Sequence, residues 1–240
     1  MVTSTRLIIL GPEFDDFVDD TEETLVGSSF HQDGINGTYD GVRNYRDRHD
    51  LPWFVGNQLK MIIPRRDGLP AAAPSPDILI HPTLGPEGRY SLSLAADGPP
   101  ALVIEFLSPA TARTRDLNTQ APEGKPRLYE SCGILEYLTF DPLSDYVPGQ
   151  VRGWRMGPAG VYVPWEPDAE GYWVSATLGI AFAPRGRWLD VYDGQRQRVP
   201  RNEDVNRLLD EAAALRIERE RMARENAALR EELRRLRGEG

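Results

Sequence analysis

Residues 203–237 constrain the chain before anything else in it does. Leu208, Leu215, Met222, Leu229 and Leu236 recur every seven residues, and Val205, Ala212, Arg219, Asn226 and Leu233 occupy the interleaved positions. An apolar row with this spacing fits an α-helix that seals its seam against another helix. Glu211, Glu218, Glu225 and Glu232 fall at the flanking g positions. Arg216, Arg230 and Arg237 fall at e, each five residues after a glutamate. In a parallel pair these three glutamate–arginine pairs attract across the seam, while Glu218 faces Ala223. Asn226 suits the core of a two-stranded parallel seam, while Arg219 loosens it locally. The pattern predicts a coiled coil that makes the protein a homodimer through residues 203–237. The competing arrangement is a lone amphipathic helix folded back on the body, in which charges have no reason to follow e and g.

This reading divides the 240 residues into a globular part, residues 1–200, and a helix, residues 201–240. An apolar fraction of 40% is enough for a core. The net charge is −9, and the tail hardly contributes, with nine arginines against ten acids from residue 202 onward. An acidic body binds phosphate poorly in general, so contact with nucleic acid requires a local basic patch. Arg113, Arg115 and Arg127 form the best one. A single cysteine, Cys132, excludes an intrachain disulfide and a thiolate zinc site. It fits a reducing, cytoplasmic setting and reads as a small buried hydrophobe. The apolar run Leu7–Leu10 is too short for a signal sequence, and no window is long enough to span a membrane. Only Lys60 and Lys125 among the 28 basic residues are lysines.

The body reads as mixed α/β. Ser28 or Ser29 caps a helix running to about Arg46, with Phe30, Ile35, Tyr39, Val42 and Tyr45 on one face. Gly34, Gly37 and Gly41 inside it speak against it. Two short strands fall between Leu51 and Ile63, and another follows Pro76-Asp77. Residues 64–76 are a turn-rich loop. Residues 81–100 read as a loop with room for a short helix. Ala101–Leu107 is a strand, and residues 108–124 are irregular. A helix starts at Pro126 and stops at Gly133. Ile134–Phe140 is a strand, and four short antiparallel strands, VRGWRM, GVYVPW, YWVSATL and IAFAP, follow between 146 and 192.

One residue is out of place in that pattern. Glu105 stands in the middle of the apolar strand ALVIEFL. Burying a carboxylate costs several kcal/mol unless it is paired, protonated or given a metal. Asp77 opens another apolar strand. If the two strands are neighbours, two carboxylates meet at one sheet edge and raise each other's proton affinity. A divalent cation resolves this, and Mg²⁺ accepts one or two carboxylates with water and phosphate. Lys125 begins the next helix, with Tyr129 one turn on. An ammonium there can orient or help deprotonate a water and stabilise charge developing at phosphorus. Simpler readings stand beside these. Asp77 can cap a turn, Glu105 can form a structural ion pair with an arginine or with Lys125, and Lys125 can be an exposed helix start. His49 and His81 lack partners at metal spacing, and the five tryptophans read as core or sheet-face residues.

A Pro-Asp pair, a glutamate at a strand centre and a following lysine resemble the PD-(D/E)XK nuclease superfamily. The stretches PDILI, ALVIEFLSPAT, KPRLY and CGILEYLTFDP, with VGSSFHQDGI before them, resemble more narrowly the Uma2 family of restriction-endonuclease-like proteins, over roughly residues 22–192. The resemblance implies a mixed central sheet with flanking helices and Mg²⁺-dependent hydrolysis of phosphodiester bonds in DNA, with Mn²⁺ as a substitute ion. It implies Asp77 and Glu105 as metal carboxylates and Lys125 as a catalytic lysine moved from the strand to the next helix. Leu107 occupies the usual lysine position. His31, Ser108, Asp116, Tyr129 and Asp141 match supporting positions, and LNTQAPEG, between Asp116 and Lys125, is longer than that pattern. The alternative is a catalytically inactive nuclease-fold protein that binds nucleic acid or protein. A third reading is a scaffold whose helix recruits a different chain.

Overall fold

The computed structural model describes residues 18–19, 29–64 and 72–237. Leu7–Leu10, Ser28 and most of the 64–76 loop lie outside the described residues. The chain divides into two compact units, Met1–Val199 and Pro200–Gly240.

In the first unit the elements run β1 (Val18–Asp19), α1 (Ser29–Arg48), β2 (Phe54–Asn57), β3 (Lys60–Ile62), β4 (Ala72–Ala73), β5 (Ile78–His81), β6 (Ser91–Ser93) and α2 (Leu94–Asp97). Then come β7 (Leu102–Phe106), a π-helical turn (Ala112–Asp116), α3 (Lys125–Ser131), β8 (Glu136–Phe140) and β9 (Val151–Met156). The last are β10 (Tyr162–Trp165), β11 (Trp173–Val174), β12 (Ala181–Arg185) and β13 (Trp188–Tyr192). Six strands form the central sheet, ordered β10-β9-β8-β7-β5-β2. β7 and β8 are parallel and the other pairs antiparallel, so the fold is mixed α/β as expected. A three-stranded sheet, β11-β12-β13, and two small pairs complete the unit.

β5, β7 and β8 are buried along their whole length because both sheet faces are covered. On one face Ile78, Ile80, Leu102, Ile104 and Phe106 pack with Ile35 and Val42 of α1 and with Phe182 and Val191 of the smaller sheet. On the other, Leu79, Val103 and Tyr137 pack with Leu128 and Tyr129 of α3. The glycines that spoke against α1 have a packing purpose. A Cβ at Gly34 would come within 3.1 Å of the Phe106 ring, and one at Gly41 within 3.0 Å of Val191. Bare backbone at these points lets α1 lie close on β7 and β13, which offsets the propensity cost of about 1 kcal/mol per glycine.

Two segments differ from the sequence reading. The loop of 81–100 contains β6, which pairs in parallel with β3, as well as the short α2. The irregular stretch of 108–124 contains the π turn, closed by Asp116 N–H to Thr111 O at 3.1 Å. The run of strands also continues one further, to β13.

The second unit is α4 (Asn202–Leu236). Asp204 accepts a hydrogen bond from the Arg201 N–H at 3.1 Å and so closes its first turn. Leu208, Leu215, Met222, Leu229, Leu233 and Leu236 are exposed along it. Among the described residues no helix is long and apolar enough to cross a membrane.

Candidate active site

Strand alternation and register place the two acids. Side chains two apart share a sheet face. Asp77 therefore lies with Leu79, and Glu105 with Val103, on the face covered by α3. Antiparallel pairing of Ile78 with Ile104 sets Asp77 beside Glu105. The Asp77 N–H points at Glu105 Oε2 (3.4 Å), and the Phe106 N–H donates to Asp77 Oδ2 at 2.7 Å. The structure thus brings Asp77 and Glu105 together, both buried, at 8% and 3% exposure.

Lys125 comes to them on α3, inside the crossover from β7 to β8. Its Nζ lies 3.2 Å from Glu105 Oε1 and 2.9 Å from Asp116 Oδ1. Tyr129, one turn along α3, donates its hydroxyl to Glu105 Oε1 at 2.7 Å. The helix starts where it does because Gly124 has no side chain. A Cβ there would collide with the backbone oxygen of Asn118. Gly124→Ala is therefore expected to displace the start of α3, cost about 1–3 kcal/mol by overpacking, and loosen Lys125. Urea denaturation and cleavage assays on the variant measure the two effects.

The π turn supplies Asp116. Its Oδ2 accepts the Thr111 hydroxyl at 2.5 Å, Thr111 in turn bonds Ser108 at 3.1 Å, and the Tyr137 hydroxyl donates to the Asp116 backbone oxygen at 2.9 Å. Ser108 and Asp116 thus belong to one relay that ends on Lys125. A π turn at such a place is an irregularity that often accompanies function. His31 stands on α1 with its ring edge toward Phe106, 6.1 Å between centroids, and feels both Asp116 and Lys125. Asp141 is outside the cluster. Its Oδ2 accepts the N–H groups of Tyr146 (2.6 Å) and Val147 (2.9 Å), fixing the loop after β8. Of the other histidines, His81 is buried, with Nδ1 accepting the Thr83 N–H (3.4 Å) and Nε2 3.1 Å from the Asp97 carbonyl.

Sequence reasoning missed Gln58, Thr111 and Tyr137. Gln58 hydrogen-bonds the Asp77 side chain and also donates its backbone N–H to the Asp77 carbonyl at 3.1 Å. It does so from a left-handed backbone, φ 49, unusual for a residue other than glycine. Nothing in the local pattern marks it, since its partner is nineteen residues away and across a sheet. Thr111 and Tyr137 bond Asp116 only through the fold.

Burial pushes Asp77 up to about 6, against the pull of Lys125. Burial likewise pushes Glu105 up to about 8, with Asp77 and Asp116 adding to it and Lys125 opposing. Burial alone would lower Lys125, but Glu105 and Asp116 outweigh it and raise its proton affinity above that of an ordinary lysine. Burial also lowers His31. The cluster therefore disfavours uncompensated negative charge, which Lys125 offsets. Its donors are carboxylate oxygens, which suit a hard divalent cation held by one or two carboxylates and water. Among the described residues no group of three or more His, Cys, Asp or Glu is arranged as a ready cage. The donor set is of the kind that suits Mg²⁺ or Mn²⁺, and Asp77 and Glu105 are the two carboxylates that meet.

No curated protein matches the chain. Among solved structures it is similar to a crystal structure described as "a putative nuclease belonging to DUF820" from Anabaena variabilis. The identity is 17% and the TM-score 0.36, over 60% of this chain and 71% of that one. The family model Uma2, described as "Putative restriction endonuclease", matches residues 24–191, a span that holds every member of the cluster. Matched over more than half its length, the chain belongs to the Uma2 family of restriction-endonuclease-like proteins.

Proposed function

We propose that the protein is a metal-dependent endonuclease that hydrolyses phosphodiester bonds of DNA, with Mg²⁺ as its ion and Mn²⁺ as a substitute. The observation that carries this reading is the convergence of Asp77, Glu105 and Lys125 from three separate segments on one buried point. Asp77 and Glu105 would hold the ion, which when bound makes a coordinated water more acidic and draws charge from the phosphoryl oxygens. Lys125 keeps its proton, because two carboxylates flank it. Its part is that of a fixed cation facing negative charge at phosphorus, in preference to a proton acceptor. Asp116 orients Lys125, and Tyr129 orients Glu105. His31, whose proton affinity burial lowers, is neutral near pH 7 and serves as a supporting residue near Asp116 and Lys125.

The test is nicking of supercoiled plasmid with Mg²⁺, with Mn²⁺ and with chelator. Wild type is expected to cut only with metal, and Asp77→Asn to lose both cleavage and the heat of Mg²⁺ binding. Metal-independent cutting, or full activity in Asp77→Asn, would overturn the assignment.

The homodimer belongs to the same proposal. The exposed leucines of α4, the e and g charges and Asn226 support a parallel two-stranded seam. Light scattering is expected to give a dimer for the full chain and a monomer for a chain ending at Pro200. A single cysteine fits a cytoplasmic setting.

One observation favours a second reading, a catalytically silent binding module. Lys125 already satisfies Glu105 and Asp116 as a closed ion-pair network, which would hold the fold together with no ion at all. Calorimetry separates the two, since a silent module takes up no Mg²⁺.

A further inference from the structure

The end of the sheet where Glu105 stands is bordered by a continuous rim. At its start, a Cβ at Gly34 of α1 would lie 3.1 Å from Phe106 and 3.6 Å from the backbone oxygen of Arg187, so α1 touches both β7 and the turn of the β12–β13 hairpin. Gln150 ties that hairpin to the loop after β8. Its Nε2 donates to Gly186 O at 2.8 Å and to Pro142 O at 2.9 Å, from a left-handed backbone of φ 68. The same loop carries Tyr146, and the Arg113 guanidinium of the π turn lies 5.7 Å from its ring centroid. The hairpin carries a second pair of this kind, with Arg187 5.0 Å from the ring of Trp188. Both arginines are exposed and both rings half-buried, with the exposed Asp145 as the acid beside Tyr146.

We propose that these two cation–aromatic pairs, Arg113 with Tyr146 and Arg187 with Trp188, form the grip for an unpaired stretch of nucleic acid. The proposal rests on the nuclease reading and names the form of its substrate. An overall acidic body gives no general attraction for phosphate, so affinity must be local. Guanidinium groups match phosphate oxygens, and aromatic faces accept bases that are splayed out of a stack. Both carboxylates are buried, at 3% and 8% exposure. A single strand drawn over the rim can bend inward. Gln150 joins the two loops next to the pairs.

The experiment is fluorescence anisotropy of the full chain with labelled single-stranded and duplex oligodeoxynucleotides in chelator, across a salt series. Wild type is expected to prefer the single strand. Arg113→Gln with Arg187→Gln should weaken binding about tenfold or more and lower the salt slope by about 0.7 for each phosphate no longer neutralised. Tyr146→Leu with Trp188→Leu should weaken single-strand binding about tenfold or more without changing that slope. Thermal unfolding checks that each variant is folded. If Trp188→Leu unfolds the chain, Tyr146→Leu alone gives the reading. Wild-type preference for duplex, absence of binding, or variants that bind as wild type does would each overturn the grip. Single-strand binding that depends on these four side chains, with no cleavage under metal, would keep the grip and remove the hydrolase. Cleavage that survives both double variants would do the reverse.

Discussion

Glu105→Gln abolishes metal-dependent cleavage while the protein stays folded: this is the largest functional effect expected of any single change. The substitution removes one of the two oxygen donors proposed for the ion, and a loss of about a thousandfold is the scale for removing a main electrostatic contact at a reacting centre. The fold survives because the amide occupies the same volume, keeps an oxygen for the Tyr129 hydroxyl, and leaves Lys125 paired with Asp116 at 2.9 Å. A sharper signature lies in the pH dependence of stability without metal. Glu105 holds its proton more tightly when folded, up to about 8 against an ordinary value of 4.5. A group raised by folding contributes stability that is complete below its unfolded value. That contribution is lost as pH rises through the folded one. Wild type should therefore lose stability between about pH 4.5 and 8 from this group, and Glu105→Gln should not. Urea denaturation at pH 5 and pH 9 in chelator measures the difference, and cleavage at the wild-type rate would remove Glu105 from the active site.

Lys125→Met should show the opposite balance, losing stability as well as activity. The methionine fills most of the same space but leaves Glu105, Asp116 and Asp77 buried together with no cation among them. Removing one partner from a buried ion pair costs about 3 to 5 kcal/mol, or roughly 10 °C in melting temperature for a unit of this size. The loss should deepen as pH rises, because the stranded carboxylates must take up protons to remain buried and can do so only at low pH. Added Mg²⁺ should restore part of the stability, since an ion in the cluster replaces the missing charge. Melting curves from pH 5 to 8, with and without Mg²⁺, read all three effects. A variant as stable as wild type at pH 8 would show that the ion pairs contribute little and that Lys125 is not central to the cluster.

Much of the frame is legible in the residues because local pattern and burial agree. β5, β7 and β8 read as strands since each is an apolar run buried on both faces. α3 reads correctly from Pro126 and Gly133, which mark its ends. What escaped reading depends on partners far along the chain. β6 is three residues, Ser-Leu-Ser, and becomes a strand only beside β3, some thirty residues earlier. The TARTRD stretch has no periodicity, and its π turn is held by Thr111, Asp116 and Tyr137 in combination. Nothing in its local sequence marks Gln58 until β5 brings Asp77 against it.

The candidate site divides in the same way. A carboxylate inside an apolar strand can be recognised from the sequence, because the energy of burying charge is a property of the residue and its immediate neighbours. The heptad row of α4 can be recognised for the same reason, since its spacing is local. The sequence alone therefore determined that Glu105 needs a partner and that residues 203–237 form a helix with an apolar seam. Only the tertiary structure decided what the partner is. Lys125 pairs with Glu105 and Asp116 together, because strand register fixes one carboxylate, a π turn the second, and a glycine-capped helix the cation. Each of those positions is set by contacts between segments that no local pattern relates.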